Sequence, residues 1–184
     1  MPFLPLVAGA HLPQVGGMNK KLLGRLFQVG LQLNAALTRR PALRGLESRV
    51  LTPFFVRLTR RIRGARELDG TPEALGHEWE RLLGNRHYAR ITRIEPDSQT
   101  VYGEITGLCP LRGSGDLEAC QRLMAYDRGL LAPHRARFVV LASQAEPGRS
   151  HCEIAIRPEL LPAHDLLPAH LRRSQRQACS EVSP

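Results

Sequence analysis

Residues 87–107 read HYARITRIEPDSQTVYGEITG, and the period of two inside them decides the fold class. Tyr88, Ile91 and Ile94 precede Glu95-Pro96-Asp97-Ser98, and Val101, Tyr102 and Ile105 follow it. Proline between two acids, with serine behind, is tight-turn chemistry, and the β-branched and aromatic residues on either side suit paired strands. The stretch predicts a β-hairpin. Its second strand reaches Gly107 and delivers Cys109 at its end, where Pro110 has no N–H for further pairing.

Working outward, residues 137–145 and 150–157 predict a second hairpin around Glu146-Pro147-Gly148-Arg149. Between the hairpins, Asp116 can cap a helix whose stripe is Leu117, Cys120, Leu123, Met124, Leu130 and Leu131. Asp127, seven residues after Cys120, projects near the same face two turns on. Before the first hairpin, Thr71 caps a further helix, with Pro72 at its first position and Glu73 in its first turn. Leu75, Trp79, Leu82 and Leu83 form its stripe and Gly84-Asn85 its stop; His77 and Glu78 lie off the stripe and read as surface residues. The expected fold is α+β: N-terminal helices followed by a ββαββ unit with a four-stranded antiparallel sheet, the site helix crossing one face.

The chain divides by composition into a disordered extension at 1–17, a basic helical segment at 18–70, an α+β ligand-binding or catalytic domain at 71–158, and a Pro- and His-containing tail at 159–184. Met18-Asn19-Lys20-Lys21 resembles a natural start more than Met1 does. The tail repeats Leu-Leu-Pro-Ala-His at 160–164 and 166–170, too few copies for a solenoid, so it should pack its leucines on the domain. The end of the chain, with Cys179, reads as disordered.

Charge separates the segments as sharply. Residues 18–66 hold 12 Lys or Arg against the single acid Glu47, whereas the rest of the chain holds 14 bases against 16 acids, so the net charge of +9 belongs to one segment. A helix from Asn19, apolar nearly all round from Leu22 to Leu37, needs a covering surface. Pro41 starts a second helix through Leu51, and Pro53 restarts it before the cluster Arg57, Arg60, Arg61 and Arg63. This cluster is either a solvated face or a docking surface for an anionic membrane or a protein partner; a homodimer is a separate expectation, not placed on any segment. Nucleic acid is disfavoured, since no aromatic platform or reading motif accompanies the bases. No apolar run reaches the roughly 18–20 residues of a bilayer span. The first 17 residues lack the base of a secretory signal. Four irregularly spaced cysteines make no disulfide framework, which favours reduced thiols in a cytoplasm, with membrane-peripheral docking through residues 18–66 as a further expectation.

Three chemistries suit Cys109, Cys120 and Cys152. They could hold a metal, but the spacing lacks the C-x2-C knuckle of common zinc modules, and no metal or cofactor is assigned. They could be small buried hydrophobes, as free cysteines commonly are. Or one could be a nucleophile: Cys109, on a strand-to-helix connection before the Asp116 helix, is the first choice, because a thiolate is favoured near a helix N-terminus. Asp127 then orients a proton-transfer group or binds a cationic amidine, and His151 is acid or base if a strand end turns it inward. Strand alternation otherwise sends His151 and Cys152 to opposite faces. Trp79, Cys120 and Arg112 are expected to contact a small-molecule substrate or ligand.

Cys109-Pro110, Cys120 with Asp127, and Gly148-x-x-His151-Cys152-x-Ile154 resemble the pattern of L-2-amino-thiazoline-4-carboxylic acid hydrolase-like proteins and, more distantly, of vinyl-reductase-type small-molecule-binding domains. The resemblance covers residues 75–157. Arg149 stands where such proteins usually carry an acid, Ile154 replaces an aromatic, and Gln144 takes a position where the binding domains often carry a zinc cysteine. The resemblance implies a catalytic set of Cys109, Asp127, His151 and Cys152 opening a cyclic thiazoline carboxylate. The alternative is a ligand-binding, sensor-like domain without chemistry.

Overall fold

The computed structural model describes residues 29–172 apart from 31, 38, 39, 41–46, 65 and 85. The extension at 1–17, the Asn19 cap with the leucines up to Leu26, the start of the second helix at Pro41, Asn85 and Cys179 all lie outside the described residues. Two hairpins form one sheet. Strands β1 (Ala89–Glu95) and β2 (Thr100–Ile105) pair antiparallel, β2 pairs antiparallel with β4 (Cys152–Pro158), and β4 with β3 (Ala136–Ala142), giving the order β1-β2-β4-β3. The architecture is α+β, with the two later strands placed so that β4 sits in the centre and β3 at the edge.

Helix α1 (Thr52–Arg63) continues from a π-helical turn at Glu47–Leu51, with Pro53 in its first turn, where a missing N–H costs nothing. Helix α2 (Pro72–Leu83) begins and ends as its sequence dictates. Thr71 Oγ1 accepts the Ala74 N–H at 3.3 Å, and Gly84 closes the helix in a left-handed conformation, its N–H donating to Glu80 O. The stripe buries Leu75 and Trp79 on the sheet, and Leu82 beside Val56 of α1. Gly103 of β2 makes that contact close: a Cβ there would lie 3.2 Å from Trp79 Cζ3 and 2.8 Å from the Arg90 carbonyl oxygen. Glu78 is buried rather than exposed. Arg81 explains this, since its guanidinium holds both Glu78 carboxylate oxygens at 2.7 Å and keeps the acid charged.

The predicted helix after Asp116 is two helices, α3 (Leu117–Leu123) and α4 (Ala125–Leu131), broken at Met124 with ψ near 2°. Arg128 accompanies the break. Its guanidinium reaches back to the Gln121 carbonyl oxygen, taking an acceptor that a continuous helix would give to a backbone N–H. Val56 of α1 packs with Leu82 and Leu130, so α1 lies against both α2 and α4.

The inner face of the sheet carries Val101, Ile105, Cys152, Ile154, Ile156, Phe138 and Val140 into one core with α2 to α4. The tail covers part of the other face, where Leu166 packs on Val139 and Ala155. Arg157, 4% exposed, fastens it there: its guanidinium meets both Asp165 carboxylate oxygens at 2.7 Å, donates to Thr100 Oγ1 at 2.7 Å and reaches the Pro162 carbonyl. The same pair holds the Asp165 carboxyl down to about 2. Among the described residues no helix is long and apolar enough to cross a membrane.

Candidate functional site

The break at Met124 sets the direction of Asp127. On α4 its carboxyl is buried, and Oδ1 accepts the indole N–H of Trp79 at 3.0 Å. Burial pushes the carboxyl up to about 6, against the opposing pull of the Trp79 hydrogen bond and the Arg128 charge. An acid in this position changes charge close to neutrality.

Asp127 lies in the wall of a cavity of about 80 Å³ between the helical residues near 30–34, α1, and the α3–α4 break. Phe55, Leu83, Leu123 and Met124 give it an apolar lining. Its polar lining is Asn34, Thr52, Thr59, Tyr88, Tyr126 and Asp127. Thr59 Oγ1 and Tyr126 Oη share a hydrogen bond at 2.7 Å, and burial pushes the Tyr126 phenol up to about 12. Asn34 Oδ1 is buried and accepts no hydrogen bond. A buried acceptor without a donor costs about 1–3 kcal/mol, which a ligand donor would recover.

The three thiols form a separate neighbourhood. Cys109, Cys120 and Cys152 are free, buried and part of the main core. Cys109 Sγ accepts the Leu111 N–H at 3.4 Å, Cys120 Sγ the Ser143 hydroxyl at 3.0 Å, and Cys152 Sγ the Gln144 N–H at 3.3 Å. Burial pushes the Cys120 thiol up to about 11 and the Cys152 thiol to about 12, so both hold their protons at neutral pH. Among the described residues no three His, Cys, Asp or Glu side chains are placed to hold a metal ion, His164 and His170 included.

Tyr88 connects the two neighbourhoods. It lines the cavity, its ring covers Gly107 so closely that a Cβ there would clash at 2.0 Å, and burial raises its phenol with help from the nearby charges of Asp127 and Cys109.

Of the residues singled out in the sequence, the structure brings together Trp79 and Asp127 in one place and Cys109, Cys120 and Cys152 in another. His151 joins neither. Half-exposed, it sits with Nδ1 3.0 Å from Ser150 Oγ and Nε2 3.8 Å from Glu104 Oε1. Cys152 points into the core, as alternation along the strand requires. Arg112 is exposed and lines no part of the cavity; its guanidinium donates to Gln144 Oε1 at 2.6 and 3.0 Å and to the Ser150 carbonyl at 2.9 Å.

Gln144, wholly buried, is the centre of this network, since its Nε2 also donates to the carbonyls of Ile105 and Gly107 at 3.0 and 2.9 Å. One amide thus ties together the end of β2, the loop carrying Cys109 and the β3–β4 connection. Gln144→Ala should remove these bonds and leave buried carbonyls unmatched, lowering stability by about 2–4 kcal/mol in urea unfolding; a loss below about 0.5 kcal/mol would contradict this role.

Asn34, Tyr88, Thr59 and Tyr126 escaped the sequence reading. The available signal was Asn34, which follows Gln28 and Gln32 in a largely apolar run and is the short-chain amide among them. Comparison with family models, with curated proteins and with solved structures returns no match to the chain.

Proposed function

We propose that the chain is a small-molecule-binding domain whose site is the cavity at Asp127. Its ligand has a small apolar body and a nitrogen head that donates hydrogen bonds. The observation that supports this is the pairing of two unusual acceptors in one apolar cavity: a buried carboxyl with a pKa near 6 and the undonated Asn34 Oδ1. A protonated amine or amidine answers both, and a charged hydrogen bond in a desolvated site is worth about 1.5–3 kcal/mol. The volume limits what enters. About 80 Å³ admits a head group, far below the roughly 300–1,000 Å³ of a drug-sized pocket, so the body rests at the mouth beside Phe55.

Calorimetric titration with benzylamine, benzyl alcohol and benzoate tests the reading. Benzylamine should bind, benzyl alcohol more weakly and benzoate not at all, and Asp127→Asn should weaken benzylamine about 10-fold or more. Equal binding of all three, or preference for benzoate, would overturn it.

A hydrolytic reading has one supporting observation, that Tyr88 both lines the cavity and packs on Gly107, two residues before Cys109. In it the Cys109 thiolate attacks the amidine-like carbon of a thiazoline held at Asp127, the ring sulfur leaves as a thiol, and water releases the adduct. Thiol release from 2-aminothiazoline-4-carboxylate by the wild type, absent in Cys109→Ala, would favour this reading over simple binding.

A further inference from the structure

Helix α1 is apolar on the wrong side. Toward the molecule it presents Thr52, Val56, Thr59 and Arg60, the last turned in to the Leu130 carbonyl at 2.8 Å and to His134 Nε2 at 3.2 Å. Away from the molecule it presents Phe54, Leu58 and Ile62 at successive spacings of four, 57, 39 and 46% exposed, and Val50 in the preceding turn extends the row at 53%. A helix that packs only through its inner side would carry polar residues here. The adjacent helical segment, whose Gly30 approaches the Phe55 ring, exposes Val29 and Leu33 as well.

The charge beside this row indicates what covers it. Residues 48–66 contain six arginines and no acid, and Arg57 and Arg61 are exposed on the same outer side as the apolar row. A second copy docked face to face would bring Arg57 and Arg61 toward their own equivalents with no carboxylate on the helix to answer them. A bilayer surface with anionic headgroups answers both features, taking the apolar side chains between its acyl chains and the guanidinium groups at its phosphates.

We infer that the outer face of α1 is an interfacial docking surface for anionic phospholipid membranes, with Phe54, Leu58 and Ile62 as the inserted row and Arg57 and Arg61 as the headgroup contacts. The face is distinct from the interior of the Asp127 cavity, so the two assignments stand or fall separately.

Flotation of the full chain with vesicles of phosphatidylcholine alone, and of phosphatidylcholine mixed with phosphatidylglycerol, tests the inference. The wild type should float with the mixed vesicles and not with the neutral ones, less so as salt rises. Leu58→Gln with Ile62→Gln, and separately Arg57→Gln with Arg61→Gln, should each lower partitioning roughly 10-fold or more. Both pairs are exposed, so unchanged thermal unfolding checks that the variants remain folded. A wild type that floats with neither vesicle, or variants that float as well as the wild type, would overturn the inference. So would a dimer in sedimentation that Leu58→Gln dissociates, which would assign the face to a second copy.

Discussion

Trp79→Ala should lower the unfolding free energy by roughly 3–5 kcal/mol. Four losses combine in that figure. The indole is wholly buried, its ring lies 5.8 Å from that of Phe138, and it fills the space that Gly103 leaves open over the sheet. Its N–H is also the donor to Asp127, so truncation leaves a cavity above β2 and a buried carboxyl with one fewer partner. Against a total stability of about 5–15 kcal/mol for a domain of ordinary size, this is enough to unfold much of the population on mild heating. Trp79→Phe helps separate the contributions, because it retains a ring in the core while removing the donor and part of the buried volume; it should cost about 1–3 kcal/mol. Trp79 is the sole tryptophan, so unfolding of these variants is best followed by circular dichroism. A Trp79→Ala protein within about 1 kcal/mol of wild type would mean that the helix does not pack on the sheet through this residue.

The second large effect concerns pH. Asp127 titrates near 6 in the folded chain and near its ordinary 3.8 when unfolded. Between those values the folded state keeps a proton that the unfolded state has lost. Stability from this group is therefore complete below about pH 4, falls as pH rises through 6, and stays reduced above it, by roughly 3 kcal/mol in all. Asp127→Asn removes the ionisation while its amide oxygen can still accept the Trp79 N–H. The variant should match the wild type in acid and exceed it in stability at alkaline pH, whereas Asp127→Ala forfeits that advantage by leaving the Trp79 N–H unmatched. Parallel stability curves for wild type and Asp127→Asn across this range would contradict the burial of the charge. The fold is thus more stable without the carboxylate, and the cavity is where its charge has a use.

Much of the architecture was legible because local chemistry and tertiary structure agree. Pro96 with Asp97 and Pro147 with Gly148 mark the two hairpin turns, and Thr71, Pro72 and Gly84 bracket α2. Asp127 stood out as an acid near an apolar stripe, and its environment accounts for it. Legibility failed where one element's side chains decide another's shape. The break at Met124 accompanies the reach of Arg128 to Gln121, and the burial of Glu78 follows from Arg81; periodicity records neither. The outward apolar row of α1 was half legible for a related reason: the arginine cluster at 57–63 marked a solvated face or a docking surface, but which side Leu58 and Ile62 take depends on the helix's neighbours. The cavity was the least legible feature, since Asn34, Thr59 and Asp127 come from three segments whose pairing no local pattern encodes. The cysteines were visible as a set, but spacing alone gave no sign that Ser143 and Gln144 would stand among them as hydrogen-bond donors.

The most direct test uses the indole already bonded to the site. Trp79 emission, followed against pH in the full chain with and without saturating benzylamine, reports the ionisation of Asp127 and its occupation together. The free protein should show a transition with a midpoint near 6 that is absent in Asp127→Asn. Benzylamine should move that midpoint to lower pH, because a cation at the carboxyl favours its charged form. An emission profile without the transition, or a midpoint that benzylamine leaves in place, would contradict the assignment of the cavity as a site for nitrogen-headed ligands.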